Sequence, residues 1–220
     1  MKNIEWTEKT WNPITGCNGP GGKRCLFCYA QRFAYRFKGI HGYPEEDPFK
    51  PAFHEERLEQ VYKRKKPTVY FFGSMCDHLD EGVEIEWRRK SYQAMADNPQ
   101  HLFISLTKRY ENLWKVEYDS PNQRIPDNLI VGISVNKRNQ VWGMDELRKV
   151  KSKCRMVSFE PLLEDLANIV EPKGMQWFII GAQTRQSGVG DLESVQEFQP
   201  PSPWIEKLVK KAKANGIPVF

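Results

Sequence analysis

Leu129-Ile130-Val131-Gly132-Ile133-Ser134-Val135-Asn136-Lys137-Arg138 is the stretch on which the fold turns. Five residues without a charge or amide give way to a hydroxyl, an amide and two cations. A near-continuous apolar run of strand length, rich in β-branched residues, suits a strand covered on both faces, as in a parallel sheet under helices. The same design recurs four times. VYFFG at 69–73 leads to Ser74, Asp77 and His78. LFISL at 102–106 leads to Thr107, Lys108 and Arg109. RMVSF at 155–159 leads to Glu160, and WFIIG at 177–181 leads to Gln183, Thr184 and Arg185.

Apolar residues recur at helical spacing over 25–38, 54–64, 85–97, 110–117, 140–150 and 203–214. The last segment opens on Ser202-Pro203, an N-cap and first-turn pair, and closes before Gly216. Strands that alternate with helices imply repeated βα units. An earlier strand is expected around residues 11–16, although Pro13 suits only an edge there. A last strand is expected at 217–220. The expected architecture is α/β: a full or partial (βα) TIM-like barrel of about six parallel strands, with the loops after the strands forming one polar, partly basic rim. No interdomain linker interrupts residues 1–220, so one domain is expected, with 39–51 and 184–203 as loops.

Three of the five cysteines, Cys17, Cys25 and Cys28, fall within twelve residues, spaced C-x7-C-x2-C. Disulfide frameworks spread their staples through a small secreted domain, whereas this crowding reads as metal ligation in a reducing compartment. Gly19, Gly21 and Gly22 supply the backbone freedom a loop over 11–30 needs to turn three thiolates onto one site. The cysteines alone leave two readings open. Structural zinc normally takes four protein ligands, and Cys76, His41 or His78 could supply the fourth. Alternatively, a [4Fe–4S] cluster held by three cysteines keeps one iron free for S-adenosylmethionine. The strand series, and Phe27 beside the third cysteine where it could lie against adenine, favour the second. A phosphate-loop reading of NGPGGKR fails: Cys17 stands where the first Gly belongs and Arg24 where Ser or Thr is required.

Hydrophobic residues at 40% and aromatics at 12% suffice for a sizeable core. No apolar stretch is long enough to cross a bilayer, and the first residues lack a secretory apolar core, so a cytoplasmic protein without membrane contact is expected. The net charge of +5 is concentrated in Lys63-Arg64-Lys65-Lys66 and in 207–213, which read first as solvated helix faces and second as an attraction for polyanions. Lys108, Arg109, Lys137, Arg138 and Arg185 are expected to share the rim and favour an anionic ligand. Cys76 and Asp77, at the rim, are the candidate catalytic groups: a thiol able to donate a hydrogen atom and a proton relay, the latter shared with His78. Cys154 is expected in the core, and Trp87, Trp114 and Trp142 against the barrel exterior.

WTEKTWNPITGC followed by CLFCYA resembles the signature of a phage-associated family of uncharacterised proteins related to radical S-adenosylmethionine enzymes, and the resemblance continues in FFGSMCD, GISVNKR, SFEPLLEDL and WFIIGAQT. It implies a single radical-S-adenosylmethionine-like domain over 1–220, a partial TIM-like barrel with the cluster at its open rim. By the same resemblance Cys17, Cys25 and Cys28 ligate the cluster. Phe27 lies near adenine, Gly73 and Ser74 meet the amino group of S-adenosylmethionine, and Ser134, Asn136 and Glu160 contact the cofactor or substrate. The chain departs from the wider superfamily in its x7 spacing, where x3 is usual, and lacks a GGE triplet after the second strand. The expected activity is generation of a 5′-deoxyadenosyl radical, with an external electron donor, acting on a substrate of nucleic-acid or nucleotide type. The rival is a non-enzymatic nucleic-acid-binding protein stapled by zinc.

Overall fold

The computed structural model describes residues 4–190 and 192–220. Six strands form one parallel sheet: β1 (Lys9–Trp11), β4 (Val69–Phe72), β5 (Leu102–Thr107), β6 (Leu129–Ser134), β7 (Arg155–Phe159) and β8 (Trp177–Ile180). Their order in the sheet is their order in the chain. Each crossover therefore steps the same way round, which makes a barrel wall rather than a doubly wound sheet. The closing segment adds a parallel bridge between Phe178 and Val219, so the strand expected at 217–220 lies beside β8. Among the described residues β1 pairs only with β4, and the barrel is open along that edge.

The early strand divides where Pro13 interrupts it. β1 starts two residues sooner than expected and joins the sheet, while β2 (Ile14–Thr15) pairs antiparallel with β3 (Ala52–Phe53). The helices are α1 (Tyr29–Arg36), α2 (Glu59–Lys63), α3 (Ile85–Ala96), α4 (Trp114–Tyr118), α5 (Gly143–Lys149) and α6 (Ser202–Ala214). Most are shorter than their apolar spacing suggested, because α2 and α4 begin as 3₁₀ turns and α1 begins only after Cys28. Among the described residues no helix is long and apolar enough to cross a membrane.

Side-chain alternation along the strands divides the sheet into two faces. Tyr70, Phe72, Phe103, Val131, Ile133, Val157, Phe159 and Phe178 face the helices in the main core. The concave face changes character along its length. At depth it is apolar, with Ile104, Ile130, Met156 and Ile179 buried beneath Trp6, whose ring lies 4.8 Å from Phe71 and 6.4 Å, edge-on, from Trp177. Toward the strand ends the same face carries Lys108, Ser134, Asn136, Ser158 and Glu160. Gly132 is required midway, since a Cβ there would stand 2.8 Å from Leu106 and 2.9 Å from the Ser105 carbonyl. The result is an apolar floor below a polar mouth.

Within the stretch 184–203 expected as loop, residues 184–190 and 192–198 join Gln183 in a narrow antiparallel ribbon bridged at Gln183–Phe198, Gln186–Val195 and Val189–Leu192. The bridges recur every third residue on both arms. Gly190, at the tip, has φ +56° and lies so close to the Tyr35 ring that an added Cβ would be 3.1 Å from it.

Candidate functional site

The cysteine loop begins where β1 ends and is laid at once against the loop after β4. Asn12 sets this docking: its amide lies 2.9 Å from the Ser74 hydroxyl and accepts the Met75 N–H at 3.0 Å. Gly16 then donates to the Met75 carbonyl at 2.9 Å and Cys17 to the Phe49 carbonyl at 2.9 Å. Only glycine fits at Gly16, where φ is +86° and a Cβ would lie 2.3 Å from the Lys50 carbonyl oxygen.

Cys17 Sγ accepts the Gly19 N–H at 3.2 Å and lies 3.4 Å from Asp80 Oδ2. Burial pushes its thiol well up, and Asp77 and Asp80 add to the effect. Asp80, fully buried, anchors the loop: it accepts from the Asn18 N–H (2.9 Å), the Asn18 amide (2.8 Å), the Gly82 N–H (2.9 Å) and Arg109 Nη2 (2.6 Å). Burial alone would raise the Asp80 carboxyl, but these donors outweigh it and hold it below the usual range. Arg24 closes the loop from outside, donating to the Cys17 carbonyl at 3.0 Å and gripping Asp47 with both guanidinium nitrogens at 3.0 and 2.6 Å.

Cys28 is the N-cap of α1, its Sγ accepting the Gln31 N–H at 3.4 Å. Burial raises its thiol, with nearby Cys25 raising it further and Lys108 opposing. Cys17 and Cys28 border the same small apolar cluster of Ala30, Ala34, Tyr43 and Phe49. Three thiols lie on one loop, two of them accepting backbone N–H groups beside an apolar shell, and thiolate sulfur is a donor that both zinc and iron–sulfur clusters take. Tetrahedral zinc would need four donors about 2.3 Å or less from one point. Among the described residues no three Cys, His, Asp or Glu side chains converge to hold a single metal ion.

Several residues expected at the mouth take other positions. His78 points into the core, its ring 5.1 Å from Phe72 and 6.2 Å from Tyr92, with neither nitrogen hydrogen-bonded; burial lowers its pKa to about 3. Its neighbour Asp77, at the start of the turn closed by the Asp80 N–H to its own carbonyl, is directed to β5 instead. Asp77 accepts from the Thr107 hydroxyl (2.7 Å), the Lys108 N–H (2.9 Å) and the Leu79 N–H (3.1 Å), and burial raises its carboxyl. Arg109, expected as a free rim cation, is 2% exposed and paired with Asp80 at 2.6 Å and Glu81 at 2.8 Å. Arg138 faces outward to the Asp165 carbonyl at 3.0 Å. Lys108 does face the mouth, its ammonium 6.0 Å above the Phe27 ring. Trp114 and Trp142 are 57% and 47% exposed rather than packed on the barrel exterior.

Of the remaining candidates, Cys76 lies beside Cys17 through the Gly16–Cys76 bridge, and burial pushes its thiol up. Gly73 turns with φ +76° directly above it. Ser74 is engaged by Asn12, and its carbonyl accepts the Tyr29 hydroxyl at 2.5 Å. The Ser134 carbonyl accepts the Tyr110 hydroxyl at 2.5 Å. Asn136 donates to the Pro161 carbonyl at 2.8 Å, which leaves its Oδ1 buried without a partner. Glu160 stands at the lip of the mouth; partial burial raises its carboxyl, while Trp6 and Lys108 pull it down.

Asp80 and Arg32, the two residues that organise the loop, carry no motif that would single them out. Arg32, on α1, donates to the carbonyls of Leu26 (3.0 Å) and Cys28 (3.3 Å) and to those of Ser187 (3.1 Å) and Glu193 (2.5 Å) on the ribbon. Gln186 completes the latch by donating to the Phe27 carbonyl at 2.9 Å. The ribbon itself had a signal: Gln186, Val189, Leu192, Val195 and Phe198 recur every third residue and are half-buried between exposed neighbours.

The architecture is shared with solved structures of spore photoproduct lyase. One lyase variant matches with a TM-score of 0.57 and 11% identity over 96% of this chain and 75% of that one. A variant bound to dinucleoside spore photoproduct matches with a TM-score of 0.58 and 11% identity over the same shares. A third structure, complexed with the same dinucleoside, gives a TM-score of 0.52 and 12% identity over 93% of this chain and 60% of that one. At such identities the likeness is one of fold. No curated protein matches the chain. A family model matches residues 1–220 from end to end, and the chain belongs to that family, described as "Protein of unknown function (DUF5131)".

Proposed function

We propose that this chain is a radical S-adenosylmethionine enzyme that holds a [4Fe–4S] cluster through Cys17, Cys25 and Cys28 and acts on a substrate of nucleic-acid or nucleotide type. One observation carries the reading: a three-cysteine loop stands at the strand-end rim of an open parallel barrel, over a concave face that is apolar at depth and polar at the mouth. The shared fold with spore photoproduct lyase, solved with a dinucleoside photoproduct, supports both the chemistry and the substrate class. Bound there with S-adenosylmethionine, the cluster supplies one-electron reductive cleavage to a 5′-deoxyadenosyl radical, given an external electron donor.

The chain's own residues hold and enclose that chemistry. The Gly19 and Gln31 N–H groups stabilise thiolate on Cys17 and Cys28. Asp80 fixes the turn after Cys17, and Asp77 fixes the backbone of Lys108. Phe27 and Lys108 form an aromatic and cationic wall, suited to an adenine and a carboxylate or phosphate. In this reading Gly73, Ser74, Ser134, Asn136 and Glu160 complete the cofactor side of the mouth, and the unpartnered Asn136 Oδ1 is an acceptor for a ribose hydroxyl. The Cys76 thiol is the candidate hydrogen-atom donor, able to quench a carbon radical and leave a thiyl radical. The apolar floor beneath Trp6 keeps water from the radical.

Anaerobic reconstitution with iron and sulfide tests the proposal. About four irons per chain, an electron paramagnetic resonance signal on reduction and release of 5′-deoxyadenosine are expected, all lost in Cys17→Ala, Cys25→Ala and Cys28→Ala. One tightly bound zinc per chain, with no iron uptake and no 5′-deoxyadenosine, would overturn it.

A further inference from the structure

At the opposite end of the sheet, where the strands begin, lies a broad groove of about 930 Å³. Lys9 at the start of β1 forms one bank, and Lys63 at the end of α2 with Arg64, Lys65 and Lys66 on the loop before β4 form the other. β4 has four residues, so this groove and the cysteine loop are separated by about 13 Å of strand. Opposing charge in the groove is scarce. Lys63 is paired with Glu59, one turn away on its own helix. Glu8 is the acid among the lining residues, and its carboxylate accepts the Val69 N–H at 2.8 Å. Arg64 meets the hydroxyl of Thr68 and Lys65 a backbone carbonyl, partners that neutralise nothing. Lys9 and Lys66 have no ion-pair partner among the described residues.

We propose that this groove is a docking site for the phosphate backbone of a nucleic acid, separate from the cysteine-lined mouth. Four cations without a counter-charge among the described residues, on two banks of one concavity, suit a run of phosphates. On α6, Lys207 is paired with Asp165 and half-buried Lys211 bonds the Ala167 carbonyl; Lys210 and Lys213 are exposed without an ion pair among the described residues, but neither lines the groove. Edge protection explains Lys9 on the open β1 strand, but it does not explain three consecutive cations, Arg64, Lys65 and Lys66, on a loop that faces it. The groove holds one guanidinium, Arg64, whose Nε is committed to Thr68, among flexible lysines, so binding without regard to sequence is expected.

Fluorescence anisotropy with a labelled random-sequence DNA duplex, titrated from 50 to 200 mM salt, is the test. It is run without reductant or S-adenosylmethionine, so that it stands or falls independently of the cluster. Lys65→Gln/Lys66→Gln is expected to weaken binding roughly 60-fold at 0.1 M salt and to lower the slope of log K against log salt by about 2. Lys210→Gln/Lys213→Gln removes the same charge from exposed positions on α6 and is expected to leave both unchanged. The proposal is overturned if the wild-type protein fails to bind the duplex at 50 mM salt. It is equally overturned if the groove variant keeps the wild-type slope, or if both variants weaken alike, since binding would then follow net charge rather than this groove.

Discussion

The two ends of the barrel treat charge in opposite ways. Where the strands end, charged side chains are buried and committed: Asp80 to Arg109, Asn18 and Gly82, Asp77 to the β5 loop, Arg32 to four carbonyls. Where the strands begin, Lys9, Lys65 and Lys66 stand in water without an acidic partner among the described residues. Polarity at the mouth is therefore architecture, because each buried charge must be satisfied or the loop cannot keep its shape. At the other end charge fixes no part of the fold and is free for a partner. The sequence invites the reverse assignment, with mobile cations at the mouth and an inert lysine run behind.

Asp80→Ala is the severest test of that difference. It strands Arg109 in a buried site with only the exposed Glu81 for company and removes the acceptor for two donors of the cysteine loop and for the Gly82 N–H. A loss of about 3–5 kcal/mol is expected in urea unfolding, with loss of iron uptake. A loss below about 1 kcal/mol would mean that the mouth's charges are ornaments on a loop held by other means.

His78 separates the mouth from the core behind it. Its folded pKa is depressed, to about 3, and both ring nitrogens are without partners, so the folded chain accepts a proton far less readily than the unfolded chain. The penalty is absent above about pH 6.5, grows by about 1.4 kcal/mol per pH unit as the pH falls, and levels off near the folded value. His78→Phe should therefore match or exceed wild-type stability at pH 7 and lead it by a further 2–3 kcal/mol or so at pH 4.5. Unfolding curves at the two pH values check this. Equal acid sensitivity in both proteins would put His78 back among solvated mouth residues.

What could be read in advance follows from what each segment must bury. Five of the six strands were legible because two covered faces demand continuous apolar runs, and the loops after these parallel strands do lie at one end of the sheet. β1 was placed late because an edge strand with one neighbour needs only Trp11 inside. Direction was not legible. Asp77 and His78 are adjacent, and nothing in their order says which enters the core; Arg109 looks like Lys108 until Asp80 is seen beneath it. The ribbon over 183–198 escaped because its spacing of three is neither the two of a flat strand nor the 3.6 of a helix.

That ribbon is also where the mouth can be loosened without touching the sheet. Arg32→Ala removes four charge-assisted bonds between the cysteine loop and the ribbon. A loss of about 2 kcal/mol is expected. Faster amide exchange should be confined to 183–198 and 24–30, with Arg32→Lys intermediate because its ammonium cannot span both sets of carbonyls. Exchange that spreads evenly through β5 and β6 would show the latch to be part of the core instead.

At the far end the smallest effect is the informative one. Lys65→Gln/Lys66→Gln removes two exposed charges, one bonded to a nearby carbonyl and the other without a partner among the described residues. Folding stability should change by less than about 0.5 kcal/mol, and relief of repulsion among neighbouring cations could make the change favourable. Set beside Asp80→Ala, the pair of measurements asks whether one formal charge means the same thing at both ends of a sheet. Where it is enclosed, its removal dismantles a loop. Where it is bathed in water, stability should not register the loss, and a phosphate chain should.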